Sequence, residues 1–292
     1  MNAVFAIVGV SGNTGGATAS ALLDGGAAVR AVVREAAKGE RWAARGAEVA
    51  VADLTDASSL ARAFEGVTGV FALNPPAYAM PDMFSHAELL ANNIAEACTR
   101  ARVSRLVVLS SIGAHLAAGH GNIRTNSIFE RVLGNLDSSV VFLRPAYFME
   151  NWAWVAGAAR HEGVLPSFLA PTSRPIAMVS AADIGTTAAQ ALRDATANGV
   201  IELEGPQAYS PDDAASAFAS ALGRPVKAIP VPEAEWAPTL AKGGFTPRTI
   251  DAWSEMFRGF NDGTIGFEKK TAPSVQGSTS IAAAVRAIVA RP

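Results

Sequence analysis

Gly9-Val10-Ser11-Gly12-Asn13-Thr14-Gly15-Gly16 stands near the start of the chain, between an apolar run at residues 4–10 and a helical pattern at residues 16–23. Glycines at this spacing, between a strand and a helix, are typical of a dinucleotide-binding turn. Gly9 allows the tight turn, Gly12 lets a ligand approach the backbone, and Gly15 lets the helix pack against the strand. The positive end of the helix would then hold phosphates. The alternative is an ordinary glycine-rich turn, whereas a Walker A loop is excluded because no Lys-Ser or Lys-Thr follows.

Apolar, β-branched runs alternate with helical patterns through the first half of the chain. The strand candidates are residues 4–10, 28–34, 47–53, 70–74, 106–110 and 140–144. The helical patterns between them are residues 16–23, 58–64, 85–100 and 127–133. Continuous hydrophobicity suits strands that are buried on both faces, and the alternation is typical of βαβ units. The predicted fold class is therefore α/β, with a Rossmann doubly wound parallel sheet.

The second half of the chain is less regular and predicts a smaller C-terminal α/β substrate subdomain. Proline and glycine mark irregular segments at residues 166–175 and 238–247. Residues 176–205 have the alternating pattern of the first half, because a helix and a short strand are predicted there. We therefore expect a Rossmann domain at residues 1–151 and a substrate subdomain at residues 152–292, from which residues 176–205 return to the Rossmann core.

The composition is that of a globular protein, with 50% hydrophobic and 17% charged residues in 292. A net charge of −2 gives no electrostatic reason to expect a nucleic acid or an acidic membrane as partner. Cys98 is the only cysteine and the four histidines match no zinc motif, so no metal site is expected. The first apolar run has no basic flank and is broken by the glycine turn, which favours a cytoplasmic location. The sequence does not determine the oligomeric state, and a homodimer is one possible state.

The end of the second strand candidate bears on the choice between NAD and NADP. An acidic residue there usually binds the ribose 2′-hydroxyl of NAD, whereas a basic residue accommodates the 2′-phosphate of NADP. Arg34 ends this strand and Lys38 follows one helical turn later. Glu35 is an alternative, because it could pair with Arg34 or face the ribose itself. The positions favour NADP(H), unless Arg34 and Lys38 are simply surface charges.

Two further positions fit a dinucleotide. Asp53 and Leu54 end the third strand, where the carboxylate could accept an adenine amino proton and the leucine could pack on the ring. Asp53 fits equally well as a cap of the following helix. Asn74 and Pro75 follow the fourth strand, at the edge where the ribose and nicotinamide should run.

The glycine turn, Arg34, Asp53-Leu54 and the segment Leu143-Arg144-Pro145-Ala146-Tyr147-Phe148-Met149-Glu150-Asn151 together resemble the NmrA-like group of atypical short-chain dehydrogenases. The resemblance covers most of the chain and is most specific up to Asn151. It implies a Rossmann domain with a small C-terminal substrate domain and the ligand between them. The implied nucleotide contacts are Gly9, Ser11, Gly12, Asn13, Thr14, Gly15, Arg34, Lys38, Asp53 and Leu54. Tyr147 and Phe148 are implied near the nicotinamide.

The sequence offers no complete acid–base pair. Four residues after Tyr78, Tyr147 and Tyr209 stand Asp82, Asn151 and Asp213, so the Tyr-x-x-x-Lys pair of ordinary short-chain dehydrogenases is absent. Members of the resembling family often carry Lys or His about four residues before the glutamate of the helix that precedes the sixth strand. Counting back from Glu130 gives Asn126, which donates a hydrogen bond but does not readily transfer a proton.

Ser110 and Tyr147 are the remaining catalytic candidates. Ser110 ends the fifth strand, where its hydroxyl would meet an acceptor carbonyl or the nicotinamide, unless it only caps the chain. Tyr147 would donate to a developing oxyanion, unless its ring only packs on the cofactor. His115 suits a surface loop better than a catalytic role. Trp152 and Trp154, with Phe148, predict an aromatic wall beside the cleft.

The leading hypothesis is an NADPH-dependent oxidoreductase that transfers a hydride to a small conjugated or aromatic acceptor, such as a quinone. Such an acceptor can take its proton from solvent, so a dedicated protein acid is not required. The alternative is a non-catalytic NAD(P)-binding redox sensor, because the resembling family contains both reductases and regulators. The missing proton donor favours the sensor, whereas the apolar, aromatic second half favours the enzyme.

Overall fold

The computed structural model describes residues 3–268 and 274–290. Its strands and helices follow in the order β1 (Val4–Val8), α1 (Asn13–Asp24), β2 (Ala28–Val33), α2 (Glu40–Ala43), β3 (Glu48–Val51), α3 (Ala57–Phe64), β4 (Gly69–Leu73), α4 (Met83–Ala101), β5 (Arg105–Leu109), α5 (Arg124–Leu133), β6 (Ser139–Pro145), β7 (Tyr147–Phe148), α6 (Ala156–Glu162), β8 (Val164–Ser167), β9 (Ile176–Val179), α7 (Ala181–Arg193), β10 (Gly199–Glu204), β11 (Ala208–Tyr209), α8 (Pro211–Leu222), β12 (Lys227–Pro230), α9 (Trp236–Lys242), α10 (Pro247–Asp262), β13 (Ser274–Gln276) and α11 (Ile281–Val289).

Eight parallel strands form the main sheet, in the order β13-β10-β6-β5-β4-β1-β2-β3. Phe5 of β1 lies opposite Val29 of β2 on one side and Gly69 of β4 on the other. The chain runs outward from β1 to β3 and then crosses to β4, so the strand order reverses between β1 and β4. Ligands of such sheets bind at the carboxyl ends of the strands where the order reverses. The predicted α/β Rossmann fold class is confirmed.

Helices cover both faces of the main sheet. On one face, Leu60 of α3, Ile94 of α4 and Phe129 of α5 are fully buried in one hydrophobic cluster. On the other face, Leu22 of α1 and Ile184 of α7 belong to a second cluster. All six predicted strands of the first half form. Five lie inside the sheet, where largely buried apolar runs are suited, whereas β3 is the edge strand and its Val51 is 56% exposed. β10 and α7 extend this sheet and its helix layer.

A third hydrophobic cluster builds the C-terminal part of the fold. It contains Trp152, Leu165 of β8, Phe218 of α8, Phe257 of α10 and Val285 of α11. Two small sheets, β11-β9-β7 and β12-β8, accompany it. β13 instead pairs with β10 at the edge of the main sheet, a contribution that the sequence did not predict.

Two predictions about where helices lie were wrong. Residues 238–247 are not irregular throughout, because Pro238 lies in the first turn of α9 and Pro247 begins α10. Proline is tolerated in the first turn of a helix, where the amide has no partner in the helix. α1 begins at Asn13 rather than at Gly16, because Gly12 already serves as its N-cap in an extended conformation.

Candidate functional site

The glycine turn lies at the carboxyl end of β1. Gly9 has a φ of +72°, which side-chain-bearing residues rarely adopt, and its carbonyl accepts a 2.9 Å hydrogen bond from the Gly12 amide. A Cβ on Gly15 would lie 2.3 Å from the Gly9 carbonyl oxygen and 2.8 Å from that of Val8. The helix can therefore approach the strand this closely only with glycine at position 15. Gly12 brings no capping side chain and the first turn of α1 has no acidic residue, so this helix start suits phosphate groups.

A cleft of about 1220 Å³ opens beside this turn, at the carboxyl ends of the strands, and we call it the main cleft. Six of the residues predicted to bind a nucleotide line it: Gly9, Ser11, Arg34, Asp53, Leu54 and Pro75. Gly12 and Asn13 line an adjoining groove, of which Ser11 is also a part. Thr14 and Gly15 are buried in the first turn of α1 and line neither the main cleft nor the groove.

Arg34 is exposed at the end of β2. Within the described parts of the chain it forms no ion pair, with Glu35 or any other carboxylate. Asp53 faces the same cleft, and its Oδ1 accepts hydrogen bonds from the Thr55 amide at 2.8 Å and the Thr55 hydroxyl at 2.7 Å. These bonds, and then the charge of Arg34, lower the pKa of Asp53, so it is ionised at neutral pH. Lys38 is exposed and lines neither the main cleft nor the groove.

The alternative role of Asp53, as the cap of the next helix, is wrong. The N-cap of α3 is Asp56, whose Oδ1 accepts hydrogen bonds from the amides of Ser58 at 2.9 Å and Ser59 at 3.2 Å. The carbonyl oxygen of Leu54 accepts a 2.9 Å bond from the amide side chain of Asn93 on α4. Asp53 is therefore available to a ligand, on a segment that α4 holds in place.

Arg41 is a cation beside the glycine turn that sequence reasoning missed. Its Nη2 donates a 2.7 Å hydrogen bond to the Val10 carbonyl, and its guanidinium lies 4.9 Å from the Trp42 ring centroid. Arg41 lines the groove with Ser11, whereas the neighbouring Arg45 is paired with Asp24 at 2.8 Å. The sequence could have indicated Arg41, because it stands one helical turn beyond Lys38 on the same segment after β2.

The structure gives Ser110 a structural position instead of the predicted catalytic one. Ser110 is 3% exposed, and its hydroxyl donates a 2.5 Å hydrogen bond to Glu130 Oε1. The same carboxylate receives Nε of Arg144 at 2.8 Å and Nη2 at 2.6 Å, and Nη1 of this arginine contacts Glu268 at 2.8 Å. Ser110 lines neither the main cleft nor the aromatic cavity described below. Its hydroxyl belongs to a buried ion network, so it does not face an acceptor.

Tyr147 lies on β7 and lines an apolar cavity. Burial raises the pKa of Tyr147 to about 12, against the effect of a hydrogen bond with Asn151, so the phenol stays protonated at neutral pH. It therefore can donate a hydrogen bond but not act as a base. Phe148, its neighbour on the strand, packs in a hydrophobic cluster of the main sheet and lines neither the cavity nor the main cleft.

The apolar cavity is partly open to solvent, and we call it the aromatic cavity. Eight aromatic side chains line it: Tyr78, Tyr147, Trp152, Trp154, Phe168, Phe245, Trp253 and Phe257. The Tyr78 ring is stacked on that of Phe245 with centroids 4.5 Å apart, and Trp253 meets Tyr78 edge-on at 5.5 Å. Sequence reasoning named Trp152 and Trp154 but missed the rings that come from distant segments.

A third space, the amide pocket, adjoins both of the others. It shares Pro75, Pro76 and Ala77 with the main cleft, and Tyr78 and Trp253 with the aromatic cavity. Asn74, Asn122, Thr125 and Asn126 supply its polar groups. The main cleft, the amide pocket and the aromatic cavity thus follow one another from the glycine turn to the C-terminal part.

Some polar atoms of the amide pocket have a weak hydrogen bond or no hydrogen-bond partner within the described chain. Asn74 Oδ1 is buried without a hydrogen-bond partner in the described chain. Asn126 Nδ2 donates to the Leu109 carbonyl at 3.5 Å, which is the outer limit of a hydrogen bond. The pocket can therefore still donate and accept hydrogen bonds. Predicted Asn74 lies here rather than in the main cleft itself.

The described residues contain neither a candidate metal centre nor a candidate membrane-spanning helix. No group of three or more His, Cys, Asp or Glu side chains is arranged to hold a metal ion. None of the described helices is both long and apolar enough to cross a lipid bilayer.

Curated relatives of the chain are oxidoreductases. It is 29% identical over 260 residues to the NAD(P)H azoreductase of Xenophilus azovorans, covering 86% of this chain and 85% of the relative. It is 26% identical over 289 residues to quinone oxidoreductase 2 of Escherichia coli strain K12, covering 97% of each chain.

Solved structures share the fold over nearly the whole chain. The NADPH-dependent quinone oxidoreductase of Escherichia coli, complexed with NADPH, superposes with a TM-score of 0.77 at 24% identity, covering 98% of this chain and 99% of that one. The triphenylmethane reductase of Citrobacter sp. gives a TM-score of 0.77 at 20% identity, covering 99% of each. The model of the NmrA-like family matches residues 1–276. The chain belongs to the NmrA-like family.

Proposed function

We propose that the protein is an NADPH-dependent reductase of small conjugated or aromatic acceptors of the quinone kind. The observation that carries the proposal is an aromatic cavity joined, through the amide pocket, to a cleft built around a dinucleotide-type glycine turn. A protein that only sensed a dinucleotide would need the cleft but not the cavity. The similarity to an azoreductase and a quinone oxidoreductase supports the same conclusion.

The residues of the main cleft fit NADP(H). The glycine turn, whose packing a Cβ at Gly15 would destroy, would hold the pyrophosphate at the start of α1. Asp53 and Leu54 would flank the adenine. Arg34 lines the main cleft, Arg41 lines the adjoining groove, and Ser11 borders both, so the two arginines would supply the positive charge that a ribose 2′-phosphate requires. When bound, NADPH supplies the hydride in the balanced reduction of a quinone, Q + NADPH + H⁺ → QH₂ + NADP⁺.

The chain's own residues orient the acceptor, exclude water and donate hydrogen bonds. Asn126 in the amide pocket and the protonated phenol of Tyr147 are two of the neutral donors near an acceptor oxygen. Neither exchanges a proton near neutral pH, so the proton of the reduced acceptor comes from solvent. The site has the parts for reducing an electron-poor acceptor but lacks the base that alcohol oxidation needs.

NADPH consumption by the purified protein, measured with a panel of quinones and with NADH alongside, tests this proposal. We expect acceptor-dependent turnover with NADPH preferred. Arg34→Ala and Arg41→Ala should each reduce the ratio of kcat/KM for NADPH over NADH by about 10-fold or more, because each removes a charge-assisted contact with the 2′-phosphate. Arg258→Ala, which removes an exposed arginine paired with Glu233, is the matched control and should leave the ratio unchanged.

Tight NADP(H) binding without turnover on any acceptor would overturn the reductase proposal and favour the redox sensor. An unchanged cofactor ratio in both arginine variants, with turnover intact, would instead overturn only the assignment of the 2′-phosphate site.

The pH profile gives an independent prediction. Because the pKa of Tyr147 is raised to about 12, the phenol remains protonated throughout the range in which the protein is assayed. We therefore expect kcat for a quinone to change by less than about 3-fold between pH 7 and pH 9, because the Tyr147 phenol beside the acceptor does not lose its proton there. Tyr147→Phe should keep this flat profile while lowering kcat. A bell-shaped profile within this range would show a catalytic acid or base that the site as described lacks.

A further inference from the structure

The aromatic cavity and the amide pocket have no formally charged lining at neutral pH. Their described lining residues are aromatic, aliphatic, amide, hydroxyl, thioether or proline side chains, without one Lys, Arg, His, Asp or Glu. The titratable groups within this described lining are tyrosines, and burial raises the pKa of both Tyr78 and Tyr147. An acceptor in these two spaces therefore meets no charged side chain among the described residues that line them.

Two arginines near the cavity are engaged elsewhere. Arg174 donates to the backbone carbonyls of Phe260 and Asn261. Arg248, at the start of α10, pairs with Asp82 at 3.2 Å. Neither guanidinium lines the cavity, so neither neutralises an anion there.

The cavity does offer neutral hydrogen-bond donors. The indole Nε1 atoms of Trp152 and Trp253 are buried and have no hydrogen-bond partner in the described chain, and both side chains line the cavity. An indole N–H only donates, so the group that satisfies it is an acceptor such as a carbonyl oxygen. Asn126 in the adjoining pocket adds an amide donor.

From this lining we infer that the site takes uncharged fused-ring carbonyl acceptors and rejects anionic ones, so that substrate charge is a basis of its selectivity. The inference rests on the proposed function and adds the charge class of the substrate to it. Aromatic faces and aliphatic walls hold the ring system by burial and stacking. A sulfonate or carboxylate would lose its hydration without gaining a cation, which is costly in a space of low polarity.

Two matched acceptors test the inference: 1,4-naphthoquinone-6-sulfonate and the methyl sulfone with the same ring and position. The two substituents have similar size, but the sulfone withdraws electrons more strongly. Each kcat/KM is therefore divided by the rate at which NADPH alone reduces the same acceptor, so that the compared values differ mainly through charge. With the protein and saturating NADPH, we expect kcat/KM for the sulfone to exceed that for the sulfonate by about 100-fold. Quenching of tryptophan fluorescence should give the same order of binding affinity without relying on turnover, since three tryptophans line the cavity.

A charge added to the cavity wall should reverse part of this selectivity. Val155 is half-buried and lines the cavity, so Val155→Lys places an ammonium there while Val155→Met changes size without charge. We expect Val155→Lys to raise the sulfonate-to-sulfone ratio by about 10-fold or more and Val155→Met to leave it within about 2-fold of wild type.

The outcomes separate the two proposals. If neither acceptor is reduced, the proposed function fails. If both are reduced and bound equally well by the wild-type protein, the function stands and the charge selectivity is wrong. An unchanged sulfonate-to-sulfone ratio in a folded Val155→Lys variant would also contradict it, because the cavity would then not be where the acceptor binds.

Discussion

Gly15→Ala is expected to abolish measurable NADPH binding. The added Cβ would lie 2.3 Å from the Gly9 carbonyl oxygen, 2.6 Å from the Gly9 carbonyl carbon and 2.8 Å from the Val8 carbonyl oxygen. All three atoms belong to the backbone, so no side-chain rotation can relieve the contact. The start of α1 must move away from β1, and the turn that would hold the phosphates moves with it. We expect an increase in Kd of at least about 100-fold and a loss of about 1–3 kcal/mol in the free energy of unfolding.

Gly157→Ala is the matched control for this prediction. Gly157 lies on α6, and a Cβ there would meet nothing within 4 Å. Alanine also favours a helix over glycine by about 1 kcal/mol, so this variant should be as stable as wild type or slightly more so and bind NADPH normally. Fluorescence titration with NADPH and urea denaturation measure both quantities. A Gly15→Ala variant that bound NADPH like wild type would show that the turn does not form the cofactor site.

The sequence predicted the Rossmann half well because local patterns determine it. Five of the six strands of the first half are largely buried apolar runs, whereas β3 is the edge strand and is recognised by its β-branched residues alone. The glycine spacing at positions 9, 12 and 15 has a meaning that depends only on neighbouring residues. The residues that line the main cleft follow directly, since parallel strands present their carboxyl ends at one edge. Arg34 and Asp53 were found in this way.

The acceptor side could not be predicted because long-range packing assembles it. Tyr78 follows β4, whereas Phe245 and Trp253 come from the α9–α10 region, and no local period connects them. Ser110 was misinterpreted for a similar reason, because its partner Glu130 lies on the following helix. The proline at the start of α10 was a readable helix signal, but we interpreted it as a loop marker. The cytoplasmic location and the homodimer stay predictions.

Arg144→Met is expected to destabilise the protein by about 3–5 kcal/mol, the second large effect. The Arg144 side chain is 7% exposed and forms two hydrogen bonds with Glu130, whose side chain is 13% exposed. Methionine keeps much of the volume but leaves the Glu130 carboxylate buried without a cation. The other partner, Glu268, is 40% exposed and can be hydrated, so it contributes less of the loss. Urea denaturation followed by circular dichroism measures the change.

A neighbouring ion pair between α5 and α4 distinguishes the effect of burial from that of ion pairing alone. Arg131 lies next to Glu130 in the chain and contacts Glu88 at 2.7 Å, but their side chains are 61% and 49% exposed. Arg131→Ala should therefore cost less than about 1 kcal/mol. Adding Glu130→Gln to Arg144→Met should recover part of the stability, because it removes the unpaired charge while keeping an acceptor for the Ser110 hydroxyl. Equal losses for Arg131→Ala and Arg144→Met would mean that the Arg144 network is as weak as a surface pair. The link from Ser110 through Glu130 to Glu268 would then not hold β6, α5 and the C-terminal segment together.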